Sequence, residues 1–259
     1  MKVEYFKPTL LLKSIIKSYT IIETPIALET VVLPHCGLIF ALQFKGRVTI
    51  NRGETTEDIP RLALSGMRKT FRKFNYEANT STILVTFTET GAYQVFKRPL
   101  FELFEDIESL DSFFAASEVS ELEEKIYTAI DNYERIRYIE NYLISKLICV
   151  DADKLVWAAV NEIHKTTGIV NICYLANHFA LSQDAFEKRF RKIVGSSPKQ
   201  FSTIVRMKFL LAKEPGSKSM TDLAYRFEFY DQAHFIKQFK SFTGQTPKDF
   251  FKAPYIWEQ

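Results

Sequence analysis

Asp231-Gln232-Ala233-His234-Phe235-Ile236-Lys237-Gln238-Phe239-Lys240-Ser241-Phe242-Thr243-Gly244-Gln245-Thr246-Pro247-Lys248-Asp249-Phe250 contains five markers that occur twice in this chain. Phe235, Phe239, Gly244, Pro247 and Phe250 repeat Phe186, Phe190, Gly195, Pro198 and Phe201 at a constant offset of 49 residues. One such string is weak. Two with identical internal spacing indicate a duplicated supersecondary unit.

Each copy reads as helix, tight turn, helix, closing helix. The opening helices are Ile172–Phe179, capped by Asn171, and Met220–Phe227, with Ser219 in the cap position. Leu175-Ala176 and Leu223-Ala224 lie three and four residues before Phe179 and Phe227, on one helical face. After a short break, Ser182 caps the second helix of copy one and Tyr230-Asp231 begins that of copy two. Phe186 and Phe190 face inward at i, i+4, as do Phe235 and Phe239. Gly195 and Gly244 stop these helices, and Ser197-Pro198 and Thr246-Pro247 start the closing ones. This is helix-turn-helix organisation. A long helix from Phe201 to Lys213, ended by Glu214-Pro215-Gly216, joins the copies. Another runs from Asp153 to Lys165 ahead of them.

Residues from about 155 to 252 resemble the AraC/XylS transcription regulators. The run from Leu223 to Phe235, continued by Phe239-Lys240, Gly244, Thr246-Pro247 and Phe250, is similar to that family's signature nearly in full. Glu228 departs from it, standing where the pattern has Gly; Ala180 holds the matching place in copy one. If that turn has positive φ, Glu228 costs about 1 kcal/mol. The resemblance implies a bacterial, cytoplasmic regulator that binds double-stranded DNA, with RNA polymerase a further partner. No cofactor and no enzymatic activity are expected.

Net charge is +3 over 259 residues, but it is unevenly spread. Residues 151–259 carry net +5 and residues 1–150 net −2. Between Phe186 and Lys213 eight basic residues accompany one acid, Glu187. That is either a solvated helix surface or a phosphate-facing footprint, and the helix-turn-helix setting favours the footprint. Cys36, Cys149 and Cys173 are scattered and form no CxxC pair, so neither a disulfide framework nor a metal site is expected. No apolar run is long enough to span a membrane.

The first half is written in strands: Leu38–Phe44, Arg47–Ile50, Leu62–Ser65, Thr70–Tyr76 and Thr82–Phe87, with Lys45-Gly46 as a hairpin turn. The expected fold is α+β in two domains. Residues 1–150 form a small β-barrel or sandwich with a helical hairpin at about 118–148, and 151–259 form an all-α domain. Helix-turn-helix one covers about 171–194 and helix-turn-helix two about 219–243. The barrel resembles, at fold level, the cupin-like sensor domains of many AraC-type regulators, which implies a small-molecule effector. Phe40, Phe44, Phe71, Phe74, Tyr76 and Phe87 either fill the barrel or line an effector pocket. Arg68, Lys69, Arg72 and Lys73 form a solvated strand edge or meet an acidic effector. His35-Cys36 reads as a strand-edge pair. Leu122, Ile126, Ala129 and Ile130 form one apolar stripe of the hairpin, which either packs on the barrel or forms a homodimer seam.

The second helix of each unit is the reader, since a helix fits the major groove. Base contacts are expected from Gln183, Asp184, Glu187, Lys188 and Arg191 in copy one and from Gln232, His234 and Lys237 in copy two. Lys192, Lys199, Arg206, Lys240 and Lys248 suit phosphate. Two readers in one chain would enter successive major grooves about 34 Å apart, with a bend of about 1–6 kcal/mol. That requires the outer faces of 183–191 and 232–241 to be open. Two other classes compete: a small-molecule module with a vestigial DNA-binding half, and an enzyme with a DNA-binding tail that uses a reactive Cys. No Pro-Cys-His context surrounds any cysteine, which disfavours the second.

Overall fold

Alternation decides the first half. In Ile16–Thr24 the buried Tyr19 and Ile21 alternate with the more open Ser18, Thr20 and Ile22, as a strand with one covered face requires. The computed structural model describes residues 1–53, 55–147, 152–213 and 220–252. Among the described residues the first half holds ten strands: β1 Lys2–Phe6, β2 Ile16–Thr24, β3 Leu28–Val32, β4 Ile39–Lys45, β5 Val48–Arg52, β6 Thr55–Asp58, β7 Leu62–Ser65, β8 Arg72–Tyr76, β9 Thr80–Phe87 and β10 Ile107–Ser109. They form two antiparallel sheets, ordered β1-β2-β9-β4-β7-β10 and β3-β8-β5-β6. The expected strands appear as β4, β5, β7, β8 and β9; the other five are additional.

Lys45-Gly46 is not a hairpin turn. β4 pairs with β9 and β7, whereas β5 pairs with β8 and β6, so the chain leaves one sheet and enters the other at Gly46, where φ is 68°. The Gln43 side chain braces this corner: its Oε1 accepts from the Val48 N–H at 2.8 Å, and its Nε2 donates to the Ile59 and Pro60 carbonyls. A polar side chain buried within the sheet finds all its partners at the crossing.

The helices are α1 Ala92–Phe96, α2 Ala116–Thr128, α3 Asn132–Lys146, α4 Lys154–Lys165, α5 Ile172–His178, α6 Gln183–Val194, α7 Pro198–Lys213, α8 Met220–Arg226, α9 Gln232–Thr243 and α10 Pro247–Lys252. The hairpin α2–α3 covers one face of the larger sheet. Phe40, Leu42, Leu64, Ile83, Val85 and Phe87 meet Leu122, Ile126, Ile136, Ile139 and Leu143 in one buried cluster. Ile130 falls off the expected stripe and is 87% exposed, because α2 ends at Thr128 and Asp131 already caps α3. A second cluster is built from α4 through α10, with Met67 of the first half inserted into it. No helix among the described residues is long and apolar enough to cross a membrane. Cys149, Ser219 and Glu214-Pro215-Gly216 lie outside the described residues.

Candidate nucleic-acid interface

The two copies are built by the same local chemistry. The Asn171 side chain accepts from the Tyr174 N–H, opening α5. Ser182 caps α6 through the Ala185 N–H, and Asp231 caps α9 through the His234 N–H at 2.7 Å. Gly195 and Gly244 end these helices at φ 94° and 84°, a conformation that glycine adopts without a Cβ penalty. The turns also match. Leu181 N–H donates to Ala176 O at 3.1 Å and Phe229 N–H to Ala224 O at 2.9 Å. Ala180 and Glu228 sit at φ 54° and 50°, so the residue replacing the family's glycine is in the left-handed region.

The turns differ in one respect. Leu175, Ala176 and Phe179 precede their mates by 48 residues, whereas Ser182 and Asp231 differ by 49. The extra residue is Tyr230, which is 92% exposed at the entrance to α9. The change of offset inside the repeat was the readable signal for it.

Phenylalanines hold the units in place. Phe186, Phe190 and Phe201, and their mates Phe235, Phe239 and Phe250, are all buried. Phe190 meets Phe201 edge-on at 5.6 Å, and Phe239 meets Phe250 at 5.3 Å. Each contributes about 1.5–3 kcal/mol by burial, so the buried face of each second helix is fixed and its polar face is turned outward.

On α6, Gln183, Asp184 and Lys188 are exposed and Glu187 is half-buried. Gln183 Nε2 donates to Glu187 Oε1 at 3.1 Å, and Lys188 lies 3.7 Å from Asp184. On α9, Gln232, His234 and Lys237 are exposed, with a ring nitrogen of His234 2.8 Å from Gln238 Nε2. Lys199, Lys240 and Lys248 are exposed as well. The N-terminal halves of both second helices therefore stand open.

Three expected contacts are placed elsewhere. Arg206 lies beneath the turn of copy two: its guanidinium is 4.4 Å from the Phe229 ring centroid and donates to the carbonyls of Phe227 and Glu228 at 3.3 and 3.4 Å. It is a strut for that turn, not a surface cation. Arg191 and Lys192 reach towards the first half, over the rings of Phe101 and Tyr93 at 5.8 and 5.5 Å.

These two belong to a seam that touches both units at equivalent places. A Cβ on Gly195 would lie 3.1 Å from the Leu100 carbonyl oxygen, and one on Gly244 3.0 Å from the Phe71 ring. Phe71 N–H donates to Ser241 O at 3.4 Å, and the Ser196 hydroxyl meets Met67 Sδ at 3.6 Å. The first half thus rests on the C-terminal ends of α6 and α9. At the far end of the seam, His164 Nε2 lies 3.0 Å from Glu89 Oε1.

The expected aromatic pocket does not assemble. Phe40 and Phe87 lie on the helix-covered face of the larger sheet, Phe87 against Phe96 at 5.5 Å. Phe44 is capped by the Arg135 guanidinium at 4.5 Å, and Phe71 is at the seam. Only Phe74 and Tyr76 share a face of β8, opposite Ile50 and Val48. The basic residues divide: Lys69 and Lys73 are exposed, whereas Arg68 and Arg72 turn inward. Arg68 is 1% exposed, with Nη2 donating to Val32 and Leu33 carbonyls, and Arg72 donates to the Glu105 carbonyl. His35 is in the connection between β3 and β4, and both its ring nitrogens are buried without partners. Burial, with Arg68, Lys208 and Arg72 nearby, holds its pKa well below the usual range, and burial pushes the Cys36 thiol up to about 11. Among the described residues no cluster of three His, Cys, Asp or Glu side chains could hold a metal ion.

Residues 175–253 match the family model described as a helix-turn-helix domain. Among solved structures, fatty-acid-bound ToxT from Vibrio cholerae is 13% identical, with 93% of this chain and 97% of that one covered and a TM-score of 0.45. A second ToxT structure from Vibrio cholerae gives 11% identity, coverage of 90% and 97%, and a TM-score of 0.43. The AraC-like transcriptional activator CuxR is 14% identical, with 83% and 88% covered and a TM-score of 0.29. No curated protein matches the chain in sequence.

Proposed function

We infer that this chain, whose residues 175–253 are a helix-turn-helix domain of the AraC type and which is a DNA-binding transcription regulator, reads an asymmetric duplex site with both of its units. The observation that carries this is the pair of open polar faces at the starts of α6 and α9, each fixed from behind by buried phenylalanines. Lys188 and Lys237 donate to guanine, Gln183 and Gln232 pair with adenine, and Glu187 accepts from cytosine amino groups. Asp184 and His234 complete the base-facing set. Lys199, Lys240 and Lys248 hold phosphate, together with Tyr230, whose exposed hydroxyl stands at the entrance to α9. Arg191 and Lys192, exposed but leaning over Phe101 and Tyr93 of the first half, stand beside this set.

The first half, residues 1–150, serves as the controlling domain. It touches both units at Gly195 and Gly244, so a small effector that favours one arrangement of the seam sets the spacing of the two readers. The reading places the protein in the cytoplasm, assigns it no catalytic step and leaves RNA polymerase as a partner on DNA. A homodimer would use the outer side of the α2–α3 hairpin, where Tyr127, Ile130 and Tyr133 are exposed.

Selection of bound fragments from random duplex DNA supplies the site, and two variants then divide the roles. Lys237→Ala should cost about 1–3 kcal/mol and relax preference at one position, while Lys199→Ala should weaken all sequences alike and lower the salt slope by about one. Unchanged site preference in Lys237→Ala would remove α9 as a reader.

A further inference from the structure

His35 stands where the first half meets the core of the reading half. It lies in the connection between β3 and β4. Its neighbours Leu33 and Cys36 pack against the helical cluster that Met67 also enters. The Arg68 guanidinium ties this connection down by donating to the Val32 and Leu33 carbonyls at 3.2 and 2.8 Å. Both ring nitrogens of His35 are buried, and among the described residues neither makes a hydrogen bond. A neutral imidazole carries one N–H donor and one acceptor, so both go unmatched here. A buried polar group without a partner lowers stability, and in a folded protein it calls for an explanation.

The charges that act on the ring are all positive: Arg68 just before β8, Lys208 on α7 of the reading half, and Arg72 in β8. Burial and these three cations disfavour a charged imidazole, and the Gly37 backbone, which favours one, is outweighed. The carboxylates of the region act on other groups. Glu105 attracts Arg68 and Arg72, joined on Arg72 by Asp106 and Glu57. Glu89 holds His164 and, with Lys17 and Lys208, acts on the Cys36 thiol. The closed seam therefore keeps His35 neutral. In an open seam the ring meets water and takes up a proton at the ordinary value of about 6.5.

We propose that His35 is an acid-sensitive latch: its protonation drives the connection between β3 and β4 off the reading half and loosens the seam. The closed seam binds fewer protons at this site than the open one. Closure is therefore full above the ordinary histidine value and weakens as pH falls below it. Between about pH 7.5 and about pH 5.5 opening should become about tenfold easier. His164 has the opposite sign at the same seam, since a proton there strengthens its contact with Glu89. An open seam takes away the support that the two readers share. That consequence rests on the control reading given above; the latch itself does not.

Cys36 reports the latch, because it adjoins His35 and packs at the seam. The exposed Cys173 of α5 is a reference in the same chain. The full chain is treated with dithiodipyridine at a series of pH values, and each cysteine is followed by peptide mass mapping. Protection is read from the rate of Cys36 relative to Cys173, set against the same ratio in urea. It should fall about tenfold between about pH 7.5 and about pH 5.5, while the far-ultraviolet circular dichroism stays native. His35→Gln should keep protection level over that range, and so should His35→Leu, which suits a site where neither nitrogen is bonded. His164→Gln should keep the tenfold fall. No protection at neutral pH, the same fall in both His35 variants, or loss of the helical signal in step with Cys36 reaction overturns the latch. DNA affinity over the same range, in the parent and in His35→Gln, tests the consequence. Protection that falls as expected while the two DNA affinities follow one pH course upholds the latch and removes its hold on the readers.

Discussion

Glu228→Gly should make the second helix-turn-helix unit more stable. Glu228 sits at φ 50°, where an L-residue carries its Cβ too close to the following carbonyl. The cost is about 1–2 kcal/mol. Glycine removes it, but the freer unfolded chain gives back about 0.4–1 kcal/mol. Burial lowers the pKa of Arg206, whose guanidinium binds the Glu228 carbonyl from below, and the Glu228 carboxylate partly opposes that shift. Both side chains are partly open to water, so losing that attraction costs only a few tenths of a kcal/mol, about the value of an exposed ion pair. The net expectation is a gain of about 0.5 kcal/mol, or about 1–2 °C in a chain of this size. Glu228→Ala separates the causes, since it deletes the charge and keeps the Cβ; it should be neutral or slightly destabilising. Ala180→Gly repeats the experiment at φ 54° in copy one, where no charge is present. Urea unfolding followed by far-ultraviolet circular dichroism measures all three. A Glu228→Gly protein no more stable than Glu228→Ala would refute the argument that backbone conformation sets the cost.

The remaining expectations concern the core, the strut and the seam. Phe239→Ala empties the centre of unit two and should destabilise it by about 3–5 kcal/mol, read as an early unfolding transition. Arg206→Ala should cost about 1.5–3 kcal/mol by removing charged hydrogen bonds to two carbonyls, while the salt slope of DNA binding stays unchanged; a slope lowered by one unit would restore Arg206 as a phosphate contact. Burial raises the Glu89 carboxyl, but the His164 hydrogen bond, a backbone N–H and the nearby Lys17 outweigh it and hold it below its ordinary value. A depressed acid stabilises the fold above its unfolded pKa, about 4.3 for Glu, and loses that contribution as pH falls through its folded value. The parent should therefore lose more stability than Glu89→Gln between neutral and acid pH, measured by urea unfolding at each pH; parallel losses would remove the seam pair as a contributor.

Much of the reading half was legible in the sequence because its determinants are local. Caps, turn glycines and the i, i+4 phenylalanines act within a few residues, so Asn171, Ser182, Gly195 and Gly244 announce their roles wherever the chain goes. The insertion of Tyr230 was equally local, visible as a repeat offset that changes from 48 to 49. The first half yielded less. A turn such as Lys45-Gly46 looks the same whether its strands pair or part, and only the partners of β4 and β5 show that they part. An aromatic on a strand likewise does not reveal which of two layers it faces, so Phe40, Phe71 and Phe74 separate once the sheets are stacked. Arg206 carries the same charge as Lys199, yet one lies under a turn and the other in water. By itself the sequence determined the duplicated unit, because helix chemistry repeats over a few residues. The tertiary structure alone decided the seam, because which surfaces meet depends on contacts between residues 75 or more positions apart, such as Glu89 with His164.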